Sequence, residues 1–257
     1  MAKALKRFLV SSSLGDLSGK CGRETKSVLL TPKETHHLKN VLRIKEGSLC
    51  LLFDREGNEF LSCLKRFLPD QSSEAELLEP VLPQEDGLRL TVAQAIPQDR
   101  KMDDIAEKSA EIGVFELIPL LTKRTIPRIQ ADKFEKIRAR WKRIAEQTLK
   151  QSKLSRVPEI LPLTTFSELC IRSAQYDQAF LCHPSPEAKP FRELGFNQNQ
   201  GPAHRILLAI GPEGGFSPQE VEQAKCAGMQ MIKMGRGILK TDTAFVAASS
   251  FFRLMYS

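Results

Sequence analysis

The sequence has few aromatic residues and no long apolar run. Phenylalanine, tyrosine and tryptophan make up 7% of the 257 residues, and Trp141 is the single tryptophan. No uninterrupted apolar segment approaches the roughly 20 residues of a membrane-spanning helix. The stretch MAKALKRFLV at residues 1–10 lacks the apolar core of a signal peptide. We therefore expect a cytoplasmic protein with no membrane partner.

A metal-ligand pattern is also missing from the sequence. No two of its six cysteines form a C-x-x-C pair, and its four histidines do not complete a zinc motif. Scattered thiols in a chain of this length are typical of a reducing cytoplasm. We therefore expect no bound metal. The cysteines are Cys21, Cys50, Cys63, Cys170, Cys182 and Cys226.

Neither of the common nucleotide-binding motifs is present. GPEGGF at residues 211–216 does not fit the G-x-G-x-x-G pattern of dinucleotide-binding folds. GRGILKTDT at residues 235–243 resembles a phosphate-binding loop in its lysine and threonine, but Leu239 stands where that motif requires glycine. The sequence therefore does not indicate an NTPase or a dinucleotide-dependent enzyme.

What the sequence does have is positive charge, with a formal net charge of +7. Basic residues crowd one predicted helix and its exit. A solvated helix face explains most charge runs, but this density exceeds what solubility needs, so we interpret it as a surface for nucleic-acid phosphates. These residues are Lys133, Lys136, Arg138, Arg140, Lys142, Arg143, Lys150, Lys153 and Arg156.

The first part of the chain, residues 1–84, is predicted to form a small β-barrel-like domain. Its short β-like segments, SLCLLF and EFLSCLKRF, flank the turn DREGN. One helix interrupts them at TPKETHHLKNVLRI, where Thr31, Pro32 and Glu34 have the spacing of a capping box. The apolar stripe of this helix is predicted to be Leu38, Val41 and Leu42.

Residues 88–257 are predicted to form a second, α/β domain, because strand-like and helix-like segments alternate. LRLTVAQAI, VFELIPLL, QAFLCH, RILLAI and MIKM are predicted strands. The predicted helices are RKMDDIAEKSAEI, DKFEKIRARWKRIAEQTLKQS, SPQEVEQAKCA and TDTAFVAASSFFRLMY. Such alternation favours a parallel sheet covered on both faces. Residues 184–203 are predicted to be a loop.

Two glycine-bearing turns follow predicted strands in the last third of the chain. GPEGG (211–215) follows RILLAI, and GRG (235–237) follows MIKM. Ligands of open parallel sheets lie beyond the carboxyl ends of strands, and glycine lets a ligand approach the backbone closely. Helix capping and tight packing explain either turn alone equally well. Two such turns, with a third strand end at His183 and Pro184, favour a binding site.

Five segments, in this order along the chain, resemble the SPOUT class of S-adenosylmethionine-dependent methyltransferases. More narrowly, they resemble the bacterial enzymes that methylate N3 of a uridine in 16S ribosomal RNA, the RsmE family. The segments are HHLKNVLRIKEG (36–47), KMDDIAEKSAEIGVFELIPLLTKRT (101–125), EQTLKQSKLSRVPEI (146–160), LLAIGPEGGFSPQEVEQA (207–224) and MGRGILKTDTA (234–244).

The resemblance implies a C-terminal deep trefoil knot, an N-terminal PUA-like RNA-binding domain, a homodimer and S-adenosyl-L-methionine as the cofactor. It implies 16S ribosomal RNA of the small ribosomal subunit as the partner. The implied cofactor-binding residues are Leu181, Ile210, Gly211, Glu213, Gly215, Met234, Gly235, Ile238, Leu239 and Thr243. The catalytic candidates are Arg7, Arg236, Lys240 and Asp242. The RNA-binding candidates are Arg43, Lys142, Arg143, Lys150, Lys153 and Arg156.

The implied chemistry needs no metal, because the methyl group of a sulfonium is already activated. N3 of uracil carries a proton, so the enzyme must favour its loss and stabilise negative charge on the flanking carbonyl oxygens. Arg7, Arg43, Arg236 and Lys240 are candidates for that stabilisation, and Asp242 for orienting a ligand amine or assisting proton removal. Base pairing hides N3, so the target must be unpaired or flipped out.

The final loop departs from the family pattern. Relatives commonly have arginine at the position of Gly237, arginine at that of Lys240 and glutamate at that of Asp242. We predict that Arg236 replaces the missing arginine, because it is the adjacent residue and Gly237 gives the backbone freedom to redirect it.

Other interpretations stay open for several of these residues. Arg7 and Arg43 also fit ordinary surface charges, Glu213 a turn cap, and Asp242 a favourable charge at a helix start. Trp141 fits the core better than a base-stacking platform. For the whole chain, the alternatives are a non-catalytic RNA-binding or ribosome-assembly protein of the same fold, and a SPOUT methyltransferase that acts on another RNA.

Overall fold

The computed structural model describes residues 5–15, 26–81, 87–99, 101–126, 131–149, 156–194, 204–235 and 237–256, without the side chains of 131, 132 and 192. The chain divides into two compact units. Unit 1 comprises Met1–Gln84 and Leu149–Val157, and unit 2 comprises Glu85–Thr148 and Pro158–Ser257. The segment Leu149–Val157, which the sequence division assigned to the second domain, is thus grouped with unit 1.

Unit 1 contains a five-stranded mixed sheet in the order β1-β3-β4-β5-β2. β1 runs parallel to β3, and the other neighbouring pairs are antiparallel. Alternate residues of the strands, such as Leu30, Leu52 and Leu64, point into one apolar core. The strands are β1 Arg7–Leu9, β2 Lys26–Leu30, β3 Leu49–Phe53, β4 Glu59–Phe67 and β5 Ser73–Val81.

Helix α1, Pro32–His36, begins with the predicted capping box. The Glu34 amide donates to Thr31 Oγ1 at 3.3 Å, and the Thr31 amide donates to the Glu34 carboxylate at 2.7 Å. A π-helical turn, His37–Val41, follows directly. The prediction of Val41 as core is wrong, since this wider turn rotates it off the buried face and leaves it 60% exposed, whereas Leu38 is fully buried.

Unit 2 is built on an eight-stranded sheet whose described pairs are all parallel. The order is β11-β13-β10-β12-β6-β7-β8, with β9 also pairing with β7. The predicted parallel α/β sheet is therefore confirmed. The strands are β6 Leu88–Ala95, β7 Glu116–Leu121, β8 Glu159–Ile160, β9 Thr164–Thr165, β10 Gln178–Cys182, β11 Lys189–Pro190, β12 His204–Ile210 and β13 Gln230–Lys233.

Helices cover both faces of this sheet. Apolar residues of α2, α3 and α6 fill the core on one face, and those of α4 and α5 fill the core on the other. None of the helices in the described ranges is long and apolar enough to cross a membrane. The helices are α2 Lys101–Ile112, α3 Ala131–Leu149, α4 Phe166–Arg172, α5 Pro218–Cys226 and α6 Thr241–Met255.

Local signals in the sequence place several of these elements correctly. α2 ends at Gly113, which has a φ of 80°, and α5 begins with the capping box of Ser217 and Glu220. Trp141 is buried and packs edge-on against Phe134, as the core interpretation predicts. The prediction of a loop over 184–203 is wrong in part, because β11 lies within it and pairs with β13.

Candidate functional site

Three turns lie side by side along the carboxyl edge of the unit 2 sheet. β10 pairs with β12 on one side and with β13 on the other. Gly211 follows β12, Met234 follows β13 and His183 follows β10. Because all three strands are parallel, their carboxyl ends meet at one edge of the sheet. The structure thus brings together the three turns that the sequence predicted.

A chain of hydrogen bonds connects the end of β6 and the start of α6 to the first glycine turn. The Gln94 side-chain amide, at the end of β6, donates to Thr241 Oγ1 at 2.9 Å. The Thr241 hydroxyl in turn donates to the Gly211 carbonyl at 2.7 Å. Both side chains are buried, with Gln94 0% and Thr241 4% exposed. The first residue of α6 is therefore fixed to the turn after β12.

Two structural features explain why glycine occupies these positions. A Cβ on Gly211 would lie 3.2 Å from the Phe216 ring and 3.3 Å from Gly215 Cα, so only glycine fits there without a shift. Gly215 and Gly235 have φ values of 67° and 131°, which other residues rarely adopt. A Cβ on Gly215, Gly235 or Gly237 would meet no described atom within 4 Å. Packing and backbone shape explain the glycines, and open space remains beside three of them.

The GPEGG turn is held from two sides by other loops. The Glu213 carboxylate accepts from the Gln98 amide at 3.3 Å and from Lys101 Nζ at 3.2 Å. Arg124 Nη1 donates to the Gly214 carbonyl at 2.6 Å. The charge of Glu213 is thus engaged by the chain itself, and its predicted contact with a cofactor stays a prediction.

The predicted cofactor residues differ widely in exposure. The side chains of Leu181 and Ile210 are buried in the two cores of unit 2, so only their backbone reaches the edge. Met234 is half-buried against the core. Ile238 is 88% exposed and Leu239 is also exposed. Thr243 is exposed on the first turn of α6. The side chain of Ile238 is therefore open to solvent, and its predicted contact with a cofactor stays a prediction.

Three buried side-chain oxygens in or next to the strand ends at this edge have no partner among the described residues. They are Gln94 Oε1, Ser185 Oγ and Asp242 Oδ1. A buried oxygen without a hydrogen-bond donor costs about 1–3 kcal/mol, so such atoms in a native structure need an explanation. Asp242 lies in the segment that follows the open GRG turn, so its oxygen fits a ligand that brings N–H donors and positive charge, whereas Gln94 is 0% exposed.

Comparison with known proteins places this arrangement in a family. A model described as RNA methyltransferase domain matches residues 84–253, and one described as RNA methyltransferase PUA domain matches residues 30–66. The ribosomal RNA small subunit methyltransferase E of Synechocystis sp. is 30% identical over 85% of this chain and 70% of that protein. The chain belongs to the ribosomal RNA small subunit methyltransferase E family.

Other members of the methyltransferase E family agree in length and fold. The Bacillus subtilis protein of that name is 26% identical over 88% of this chain and 90% of its own. The crystal structure of the Neisseria gonorrhoeae protein, bound to S-adenosyl methionine, is 27% identical and covers 98% of both chains with a TM-score of 0.78. The predicted family and the predicted PUA-like domain are confirmed, whereas the trefoil knot stays a prediction.

Arg7, the catalytic candidate in unit 1, already contacts other residues of that unit. Arg7 Nε and Nη2 donate to the Glu59 carboxylate at 2.8 and 3.0 Å, and the guanidinium lies 4.6 Å from the centre of the Phe53 ring. Arg43 is exposed, with a φ of 52°. Arg236, Lys150 and Lys153 lie outside the described residues. The catalytic role of Arg7 stays a prediction.

The basic helix is α3, and its charges are not equivalent. Arg138 Nε donates to the Ile160 carbonyl at 2.8 Å, and Arg140 pairs with Asp103. Lys142 is half-buried. Lys133, Lys136 and Arg143 are exposed, and their spacing puts them on one face opposite the buried residues. Arg156, after the helix, is also exposed.

Burial shifts the pKa of one thiol and of one histidine near the edge towards their neutral forms. Burial raises the pKa of the Cys182 thiol to about 12, so it stays protonated at neutral pH. Burial, with smaller contributions from Lys225 and Arg124, lowers the pKa of His183. Across the described ranges, no cluster of histidine, cysteine, aspartate or glutamate could hold a metal ion.

Sequence reasoning did not single out Gln94. A signal was present, because Leu88, Leu90 and Val92 occupy one apolar face of β6 and Gln94 is the next residue on that face. A polar residue there must find a buried partner or be left unsatisfied.

Proposed function

We propose that this protein transfers a methyl group from S-adenosylmethionine to N3 of a uridine in 16S ribosomal RNA of the small ribosomal subunit. The observation that carries the proposal is the Thr241–Gly211 hydrogen bond, which joins the two segments that resemble the family's cofactor motifs, 207–224 and 234–244, at the carboxyl edge of the sheet. Family membership and a relative bound to S-adenosyl methionine support it.

The residues at the edge fit S-adenosylmethionine. Open space adjoins Gly215, Gly235 and Gly237, where the backbone is bare enough for close contact. The carboxylate of Asp242, whose Oδ1 has no partner among the described residues, can accept from an amine or offset a positive charge. When bound, the cofactor supplies a methyl group that its sulfonium already activates. The protein then needs to bind the cofactor, align N3 of the uracil with the methyl group and stabilise the negative charge on the uracil.

The chain's own residues then act on the uracil. Lys240 is exposed immediately before α6, where its ammonium group can offset the negative charge that develops on the uracil carbonyl oxygens. Asp242, in the first turn of the helix, is the carboxylate placed to orient a donor or to take the N3 proton. We assign Arg236 to the same anion-stabilising role as Lys240, because it is adjacent to Gly237, where relatives commonly have arginine.

Binding of RNA is assigned to exposed basic residues of both units. Lys133, Lys136 and Arg143 form a row on α3, and we call this row the α3 basic face. Arg43 extends from the turn after α1 in unit 1. Phosphate contacts of this kind give affinity and register without reading sequence, so the nucleotide address must come from elsewhere in the complex.

A homodimer is part of the proposal. The side of α6 away from the core exposes apolar residues, with Val246 at 38% and Leu254 at 76%. Ser250 lies between them on the same face. A second copy of the chain would remove this surface from water.

The proposal is tested with purified protein, S-adenosylmethionine and small subunits from a strain that lacks the enzyme. We expect one N3-methyluridine in 16S RNA, located by mass mapping of its fragments. A protein that binds S-adenosylhomocysteine but leaves the RNA unmodified would support the non-catalytic alternative. Methylation of transfer RNA and not of 16S RNA would support the other SPOUT activity.

A further inference from the structure

Gln94 completes a backbone ladder that a proline interrupts. In the ladder between β6 and β12, the His204 amide donates to the Gly87 carbonyl at 2.8 Å, and the register continues without a shift to Ile210 opposite Gln94. A parallel ladder uses every second residue. If this alternation continued past Ile210, the next donor to the Ala95 carbonyl would be the backbone nitrogen of residue 212, and Pro212 has no N–H to donate.

The side chain of Gln94 supplies that donor. Its Nε2 lies 2.9 Å from the Ala95 carbonyl and 2.9 Å from Thr241 Oγ1. The carbonyls of Ala95 and Gly211 can only accept, so the Thr241 proton goes to Gly211 and the Thr241 oxygen accepts from Gln94. The direction of every bond in the chain Gln94–Thr241–Gly211 is thereby fixed.

We propose that Gln94 is a positioning residue for cofactor binding. It holds the Thr241 hydroxyl in the orientation that ties the start of α6 to the turn after β12, and cofactor affinity depends on that orientation. Gln94 acts through Thr241 and needs no contact with the reacting atoms. The inference rests on the proposed function, because S-adenosylmethionine is taken as the ligand of both turns.

The test uses substitutions that keep volume and remove defined hydrogen bonds. Gln94→Met removes both donated bonds, Thr241→Val removes the hydroxyl, and Thr241→Ser keeps it. Gln178→Met is the matched control, because Gln178 begins β10 at the opposite edge and its Oε1 is also buried without a described partner. Binding of S-adenosylhomocysteine is measured by calorimetry on the full-length protein.

We expect Gln94→Met and Thr241→Val each to weaken binding about tenfold. Because both substitutions break the same chain of bonds, their losses of affinity should not multiply. The Kd of the double variant should be at most about twofold higher than that of the weaker-binding single variant. Thr241→Ser and Gln178→Met should bind within about twofold of the wild type. Unchanged binding by Gln94→Met, or losses that multiply in the double variant, would overturn the proposal.

A second variant covers the case in which Gln94→Met does not fold. In Gln94→Glu an ionised carboxylate would face the Ala95 carbonyl and compete with Gly211 for the Thr241 proton. Protonation of that carboxyl restores a donor, so binding should recover as the pH falls from about 7.5 to about 5.5 in this variant relative to the wild type. Equal pH dependence of the two proteins counts against the proposal.

Hydrogen exchange separates this inference from the proposed function. In the ligand-free protein, Gln94→Met should speed amide exchange over residues 213–217 and 241–245 and leave β7 unchanged. This result does not depend on any cofactor. Failure of the wild type to bind S-adenosylhomocysteine would overturn the proposed function and the ligand assumed here, whereas unchanged exchange would refute the role of Gln94 itself.

Discussion

The hydroxyl of Thr241 donates to the carbonyl of Gly211 at 2.7 Å, across 30 residues of chain. The bond is partly buried, and it joins the first residue of α6 to the residue that follows β12. Thr241 also accepts a hydrogen bond from the Gln94 side chain, so its hydroxyl is held from both sides. The first glycine turn is therefore tied to the start of α6, and a change at Thr241 should alter the turn at Gly211.

Open space beside the second turn gives the first prediction. Gly237→Val adds a branched side chain where no described atom lies within 4 Å and where φ is not in the left-handed range. We expect unchanged thermal unfolding and about tenfold weaker binding of S-adenosylhomocysteine, because the side chain enters space assigned to the ligand. Calorimetry on a folded variant that finds wild-type affinity would remove Gly237 from the site.

Gly235→Val probes the same turn, but two effects would contribute to its loss of binding. The φ of 131° at Gly235 strains any other residue by about 1–3 kcal/mol. Weaker binding by this variant would therefore combine strain with steric exclusion, and a lower unfolding temperature should accompany it.

Close packing at the first turn gives the second prediction. Gly211→Ala puts a Cβ 3.2 Å from the Phe216 ring, so the turn must shift and loosen its bond to Thr241. We expect a decrease of about 1–3 kcal/mol in the free energy of unfolding. Gly87→Ala, in open space before β6, is the control and should be neutral. Chemical denaturation measures both, and equal stabilities would contradict the packing argument.

The α3 basic face gives the third prediction. Lys136→Ala with Arg143→Ala should weaken binding of 16S RNA fragments, and on single strands the log–log salt slope should fall by about 0.7 for each phosphate that the variant no longer neutralises. Cofactor affinity should not change. Lys108→Ala on α2 removes one charge from a residue already paired with Glu111 and serves as the control. Salt titrations that give the same slope for all three proteins would exclude this face.

The exposed side of α6 gives the fourth prediction. Leu254→Glu places a charge on a residue that is 76% exposed and that the proposed dimer buries. Sedimentation equilibrium should find a monomer, because burying an unpaired charge costs more than the apolar contact contributes. Ile171→Glu on α4 makes the same change at a similarly exposed residue, 78%, and should leave the dimer intact. A dimeric Leu254→Glu variant would place the interface elsewhere.

Arg236 gives the fifth prediction, from the sequence alone. Arg236→Ala should lower the single-turnover rate of methylation about tenfold or more, equivalent to roughly 1.4 kcal/mol of transition-state stabilisation. Cofactor affinity should barely change, because we propose that backbone groups hold the cofactor. Equal rates for the wild type and the variant would remove Arg236 from the mechanism.

Features that depend on neighbours in sequence were predictable. The capping boxes at Thr31 and Ser217 and the stop at Gly113 follow from hydrogen bonds within one turn of chain, and the structure has all three. The same rule would have found α4, since Thr165 and Glu168 form another capping box. Alternation of helices and strands was enough for the parallel sheet.

Features that depend on distant partners, or on an irregular helical turn, were not predictable. Val41 keeps helical spacing in sequence, and only the π-helical turn moves it to the surface. β11 is two residues long and exists because β13 lies beside it. The importance of Gln94 depends on Pro212 and Thr241, which are more than 100 residues away in the chain. The burial of Leu149 also depends on distant residues, because Leu149 packs against Leu9 and Phe53. Removing the first 84 residues would therefore expose it.

The central claim is methyl transfer to N3 of a uridine in 16S RNA, and one measurement tests it most directly. Small subunits from a strain lacking the enzyme are incubated with the wild-type protein and methyl-labelled S-adenosylmethionine, and the 16S RNA is digested and mapped by mass. We expect one labelled N3-methyluridine at a single position, and none in the sample without protein. Label in no nucleoside, or in a nucleoside other than N3-methyluridine, would contradict it.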